Sequence, residues 1–244
     1  MRTFKTILKN EMKLSLRDMN MVIFAICIPL VVLIILGVIY GDKPAFEGAE
    51  YTFLDQSFGA LSTIAICSGG VMGLPLVVSD YRSRKILKRF KVTPVSPVMI
   101  LTVQVAIYII YSVALLYIVS TLFFGFHLLG SLPAFLGGYI LVMLSIFSIG
   151  MMVGGISPNS QTASVIASLL YFPMLIFSGA TLPYEEMPSA LQKIADILPL
   201  TQGIKILKAA SLGLPIENIF VPLIVMAVLA VICIGVSFRF FRWE

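Results

Sequence analysis

The sequence predicts an all-α integral membrane protein, with six membrane-crossing helices behind an amphipathic helix at the membrane surface. Three observations predict it. Of 244 residues, 59% are hydrophobic and 12% charged, where a soluble domain averages roughly 45–50% and about 25%. Six segments, 21–40, 57–78, 98–124, 132–156, 160–182 and 219–238, hold no Asp, Glu, Lys or Arg. At a rise of about 1.5 Å per residue, about 20 such residues cross the roughly 30 Å hydrocarbon core. Finally, the charges between these segments are sorted by sign.

Helices are required because lipid offers an open backbone no hydrogen-bond partners. The apolar runs are continuous rather than alternating, which excludes a β-barrel. The first run, 21–40, is longer than a signal-peptide core and reads as a retained span rather than a cleavable signal. Since six spans return the chain to the side where it started, the pieces 1–20, 79–97, 157–159 and the tail share one side. They hold 13 of the 17 Lys and Arg and four of the 12 acids. The positive-inside rule therefore puts both termini in the cytoplasm. No separate soluble domain remains, so residues 1–244 read as one transmembrane domain.

In chain order, residues 1–20 come first. Lys5, Lys9, Lys13 and Arg17 recur every four residues, and Phe4, Ile7, Leu8 and Met12 fall on the other side. This is an amphipathic helix lying on the inner membrane surface, its cations near anionic lipid headgroups. Pro29, Pro75 and Pro173 lie within spans and are expected to kink them. Gly150 and Gly154 form a small-xxx-small pair that lets helices approach closely.

The densest charge is "SDYRSRKILKRFKVTPVSP", residues 79–97, with Arg82, Arg84, Lys85, Lys88, Arg89 and Lys91 against Asp80. Over 80–91 helical spacing puts Ile86, Leu87 and Phe90 on one face and Arg84, Lys85, Lys88 and Lys91 on the other. Thr93-Pro94 stops that helix. Three roles fit a short amphipathic helix here: a topology anchor, a site for anionic lipid, or a lever gripped by a cytoplasmic partner. On the outer side, residues 183–218 are too charged to span. Leu191, Ile194, Ala195 and Leu198 give them an apolar face, and prolines 183, 188, 199 and 215 divide them. Short helices dipping into the outer leaflet, or capping a channel, fit this pattern.

Several functions are excluded. Basic residues clustered beside spans, without a nucleic-acid fold pattern, argue against nucleic acid. Cys27, Cys67 and Cys233 all lie in apolar runs, without disulfide or metal spacing, and read as small buried hydrophobes. No carboxylate and no cation lies within a span, which disfavours an ion-coupled carrier; His127 sits in a short outer loop. Glu185-Glu186 lacks the intramembrane partners a protease would need. The G-x-x-x-x-G-K-[ST] phosphate loop is absent, so if the chain does active transport a separate ATPase must supply the work. Polar groups within spans are hydroxyls and amides, including Ser62, Thr63, Gln104, Ser112, Ser120 and Ser168. A path without fixed charge suits a hydrophobic or amphipathic cargo. Twelve methionines serve packing or an adaptable surface.

"LKRFKVTPVSP" (87–97) and "FPMLIFSGATLPYEEMPSALQKIADILPLTQGIKILK" (172–208) resemble the ABC-2 type transporter permeases. Ser178-Gly179, Pro183, Met187-Pro188 and Pro199-Leu200-Thr201 follow that family's order, and with the six-span pattern the resemblance covers essentially the whole chain. It implies an N-terminal interfacial helix, a cytoplasmic coupling helix between spans 2 and 3, and an extracellular re-entrant helical hairpin before span 6. The coupling role falls on residues 80–91, with Asp80, Arg82, Arg84, Lys85, Lys88, Arg89 and Phe90 facing the ATPase. Many members open this loop with an acidic stretch and a glycine; here Asp80 is followed by Arg82, Ser83, Arg84 and Lys85. The resemblance further implies export from the cytoplasm or inner leaflet across a bacterial inner membrane, while the uncharged spans suit drugs, antibiotics, peptides or lipid-like molecules as cargo. The implied partners are two copies of a cytoplasmic ABC ATPase, which binds ATP and magnesium, and a second permease, the same chain or a paralogue. This chain itself holds no cofactor. A passive channel or a signalling subunit is the alternative, and it would need no nucleotide.

Overall fold

The computed structural model describes residues 2–17, 23, 27–40, 43–44, 51–86, 97–118, 129–178, 188–214 and 220–240. Helices occupy nearly all of them. In chain order they are α1 (Arg2–Ser15), α2 (Ile28–Tyr40), α3 (Phe53–Cys67), α4 (Leu74–Ser83), α5 (Pro97–Ile118), α6 (Leu132–Ile156), α7 (Ser160–Phe177), α8 (Ser189–Ala195), α9 (Pro199–Leu212) and α10 (Phe220–Phe240). Among the described residues the β-type pairing is an isolated bridge between Pro44 and Thr52.

Among the described residues four helical stretches are long and apolar enough to cross a membrane: Asp55–Ser83, Leu132–Ile156, Ser160–Phe177 and Phe220–Ser237. They correspond to the second, fourth, fifth and sixth apolar segments of the sequence. Within the first and third, the described residues are the helices α2 and α5.

The first of these stretches starts on a capping box. Thr52 accepts from the Asp55 amide at 3.1 Å, while Asp55 accepts from the Thr52 amide at 3.0 Å, which satisfies two orphan donors. Between α3 and α4 the chain widens into a π-helical segment, Ser68–Gly73, buried along its length. Its cause is in the sequence. Pro75 follows in the first turn of α4. A proline inside a continuous α-helix clashes with the carbonyl four residues back, and a wider turn relieves that clash. The expected kink at Pro75 therefore takes the form of a π segment. Pro173 lies inside α7.

The core lies where α3, the π segment, α4, α6 and α9 meet. Ile66, Cys67, Val71, Leu74, Val78, Val142, Ile146 and Leu207 are all fully buried there. Glycines permit this density. A Cβ on Gly150 would collide with the Gly70 carbonyl oxygen, and one on Gly154 would lie 2.8 Å from Val78 Cβ. The Gly150/Gly154 pair thus sets the α6 crossing, as its spacing suggests. On the outside, Val165, Leu169, Phe172 and Ile176 of α7, and Val221, Ile224, Val228 and Val231 of α10, form exposed apolar stripes. Cys67 and Cys233 are buried, but Cys27 is exposed, so the buried reading fails for that thiol.

Helix α9 departs from a surface amphipathic helix: eleven of its 14 residues are buried. A Cβ on Gly203 would press on Thr63 and Val142, so this first turn reaches the middle of α3 and α6. Its other end closes on Gly213, which takes the left-handed φ of 67° that glycine adopts without penalty, and abuts Gly130. By contrast α8 is poorly covered, with Ile194 49% exposed although Ala195 is buried.

Candidate functional site: the basic end of the bundle

Helix α1, the last turns of α4, the first turns of α5 and the end of α6 converge at one end of the bundle. The basic loop begins there. Helix α4 runs without interruption through Asp80 to Ser83, so the first four residues of the expected 80–91 helix prolong the stretch Asp55–Ser83. The break comes at Arg84–Lys85, where the Lys85 amide donates to the Arg82 carbonyl at 2.9 Å. Lys85 holds a positive φ of 57°, a left-handed conformation that disfavours any side chain. Ile86 is again helical. Lys88, Arg89 and Phe90, with Leu87, Lys91 and Pro94, lie outside the described residues.

The expected site residues do different jobs. Asp80 pairs with Arg84 at 2.9 Å, one helical turn on, in an exposed setting where such a pair contributes little. Lys85 is exposed. The Arg82 guanidinium turns inward. It donates to the Gly155 carbonyl and, at 3.1 Å, to the Ser157 carbonyl. These oxygens lie at the C-terminus of α6, where orphan carbonyls and the helix dipole both favour a cation.

Helix α1 is amphipathic as its spacing predicts, and Lys5, Lys9, Lys13 and Arg17 are exposed. It ends at Ser15, with a turn to Arg17. Its apolar residues Phe4, Ile7, Leu8 and Met12 pack on the protein core, rather than resting on lipid alone. The same face carries a group the sequence reading missed. Glu11, 9% exposed, accepts from Tyr81 Oη at 2.5 Å and from Gln104 Nε2 at 2.7 Å. Gln104 Nε2 also reaches Tyr81 Oη at 3.3 Å. One turn on, Ser15 Oγ and Tyr111 Oη are 3.0 Å apart. The signal was available: Glu11 stands three residues after Leu8 and four after Ile7, on the apolar stripe.

The polar groups expected within spans are mostly absorbed by the helices. Ser62 and Thr63 donate to the carbonyls of Phe58 and Gly59, each at 2.7 Å. Ser112 bonds Tyr139, and Gln104 belongs to the Glu11 cluster. Ser168 is half-buried; Ser120, His127, Glu185 and Glu186 lie outside the described residues. Among the described residues no three His, Cys, Asp or Glu side chains gather closely enough to hold a metal ion.

A family model described as "ABC-2 type transporter" matches residues 2–212. Nodulation protein J of Rhizobium leguminosarum bv. viciae is 33% identical over 99 residues, 41% of this chain and 38% of that protein. Nodulation protein J of Rhizobium meliloti is 32% identical over 76 residues, 31% of this chain and 29% of that protein. The inner membrane transport permease YhhJ of Escherichia coli is 29% identical over 85 residues, 35% and 23% of the two chains. The aligned stretch spans well under half the length of each relative.

Proposed function

The chain belongs to the ABC-2 type transporter family, and from that premise we propose that it is the membrane permease of an ATP-driven exporter. Members of this family are transport subunits that lack the nucleotide-binding domain. In this reading six helices cross a bacterial inner membrane with both termini in the cytoplasm, and α1 lies at the inner face. Loop 84–96 receives a cytoplasmic ABC ATPase in two copies, which binds ATP and magnesium. Two permeases, identical or paralogous, enclose the path. Helix α9 enters the outer leaflet as the buried arm of a re-entrant hairpin. Cargo is hydrophobic or amphipathic, leaving from the cytoplasm or the inner leaflet.

One observation supports the reading most directly: the basic loop is strung from a helix that is rigidly tied to the bundle. Helix α4 ends at Ser83, immediately before the loop, and Arg82 fastens that end to α6. Force applied at Arg84 or Lys85 therefore has a stiff route into the spans, which a subunit without its own ATPase requires.

The test is the charge reversal K85E/K88E/R89E in a complex of this chain with its partner ABC ATPase. Inserted protein should remain at wild-type levels, while nucleotide-dependent export of a lipophilic dye from vesicles falls at least tenfold. Unchanged export would remove the coupling role from this loop. Wild-type dye flux that runs equally without nucleotide would favour a passive channel.

A further inference from the structure

Glu11 is the most buried of the described acids, and what holds it is unusual. Among the described residues no Lys or Arg lies within ion-pair range of it. Its compensation is two neutral donors, Tyr81 Oη at 2.5 Å and Gln104 Nε2 at 2.7 Å. Burying a carboxylate demands such bonds, and an apolar residue of similar volume would pack at least as stably. The acid is thus a poor choice for adhesion alone. Its distinctive property is geometric. Its two partners stand on α4 and α5, the two helices between which the basic loop is strung: Tyr81 lies three residues before Arg84, and Gln104 seven after Pro97. Ser15–Tyr111, at 3.0 Å, repeats the tie one turn along α1.

Resting on the permease reading above, we propose that Glu11, Tyr81 and Gln104 form a latch that makes the surface helix α1 move with the two ends of the ATPase-facing loop. Glu11 is a positioning residue in this scheme. It fixes α1 against both helix ends at once, so a displacement of the loop is shared with the amphipathic helix instead of sliding beneath it. Truncating the acid frees α1 from the pair. Glutamine in its place keeps an oxygen that accepts from both donors and so keeps the geometry.

The experiment uses the full chain in lipid nanodiscs, complexed with its ATPase, as wild type, E11A, E11Q and Y81F. Backbone hydrogen exchange over residues 2–15 reads docking of α1. Spin labels at K9C and L136C, with Cys27, Cys67 and Cys233 replaced by serine, read whether ATP with vanadate displaces α1 relative to the far end of α6. Hydrogen bonds to charged groups predict that exchange over α1 accelerates by about 10- to 100-fold in E11A and about 10-fold in Y81F. The nucleotide-dependent distance shift should disappear in E11A and persist in E11Q. Exchange within twofold of wild type in both E11A and Y81F overturns the latch, and so does a wild-type shift in E11A. Should E11A fail to insert, Y81F and E11Q decide the matter by the same two readings. Failure of the permease reading looks different: the wild type itself shows no response to nucleotide, while exchange over α1 still reports on the tie.

Discussion

Adding one methyl group to Gly150 should damage this protein far more than adding one to Gly137 in the same helix. A Cβ on Gly150 would meet the backbone carbonyl oxygen of Gly70 well inside contact distance, whereas one on Gly137 meets nothing within 4 Å. The obstacle at Gly150 is main chain, so a side-chain rotation cannot relieve it, and α6 must move off the π segment or bend. Overpacking of this kind costs about 1–3 kcal/mol and sometimes more, and each lost contact along the α3–α6 crossing adds to it. Alanine gains helix propensity at either position, roughly 0.5–1 kcal/mol, so that gain cancels between them. The expected gap between G150A and G137A is therefore the overpacking cost itself, about 1–3 kcal/mol. Gly154 falls between them, because its nearest obstacle is the Val78 side chain at 2.8 Å, with Pro75 backbone at 3.1 Å. Thermal and denaturant unfolding of the purified chain in one detergent measures the order G137A, G154A, G150A, with falling stability. Equal stability of G150A and G137A would refute the close approach of α6 to Ser68–Gly73, and with it the placement of the core.

Two further predictions concern the start of the basic loop. R82A removes donors from the Gly155 and Ser157 carbonyls and should destabilise the chain by roughly 2 kcal/mol; R82K, a point charge without the guanidinium fork, should recover part of it in the same unfolding assay. At Lys85, glycine accepts the φ of 57° without penalty, so K85G should be neutral or stabilising by up to about 1 kcal/mol. K85P cannot take that φ and loses the amide bond to Arg82, so it should cost about 2 kcal/mol or more. Equal melting of K85G and K85P would argue against the left-handed turn.

Most of the helical framework was legible because hydrophobicity and charge act locally. Uncharged runs of sufficient length became Asp55–Ser83, Leu132–Ile156, Ser160–Phe177 and Phe220–Ser237, and the four-residue repeat of cations became α1. What composition did not convey was depth. Residues 199–212 carry two lysines, Lys205 and Lys208, and their charge marks them as surface. Yet Gly203 fits against Thr63 and Val142, and Gly130 lets the far end close in, so small residues admit a charged helix into the core. Lys205 keeps company with Asp196 at 2.6 Å, at a partly exposed edge, which limits the desolvation that burial would otherwise impose. The π segment was equally latent. Ser-Gly-Gly-Val-Met-Gly ahead of Leu-Pro announces it only once the proline is seen to continue a helix instead of ending one.

The candidate site was half legible, for a reason that applies to interfacial helices generally. Charge counting marks residues that face water, and it marked Lys5, Lys9, Lys13, Arg84 and Lys85, all of which are exposed. It also ranked Arg82 with them, although Arg82 serves the end of α6. Arg82, in the last turn of α4, and Arg84, just past its end, are two residues apart, about 200° around a helix at 3.6 residues per turn, so they face nearly opposite ways. A count of charges does not register that phase. For Glu11 the phase was never lost: positions 4, 7, 8, 11, 12 and 15 share one side of α1, and five of them were already suited to packing. An acid on such a stripe demands partners from whatever covers it. Helices α4 and α5 supply them in Tyr81 and Gln104, the one a phenol in the last turns before the basic loop and the other the single amide of its apolar segment. Read together, these three residues would have located α1 against the loop's two roots before any coordinates were known.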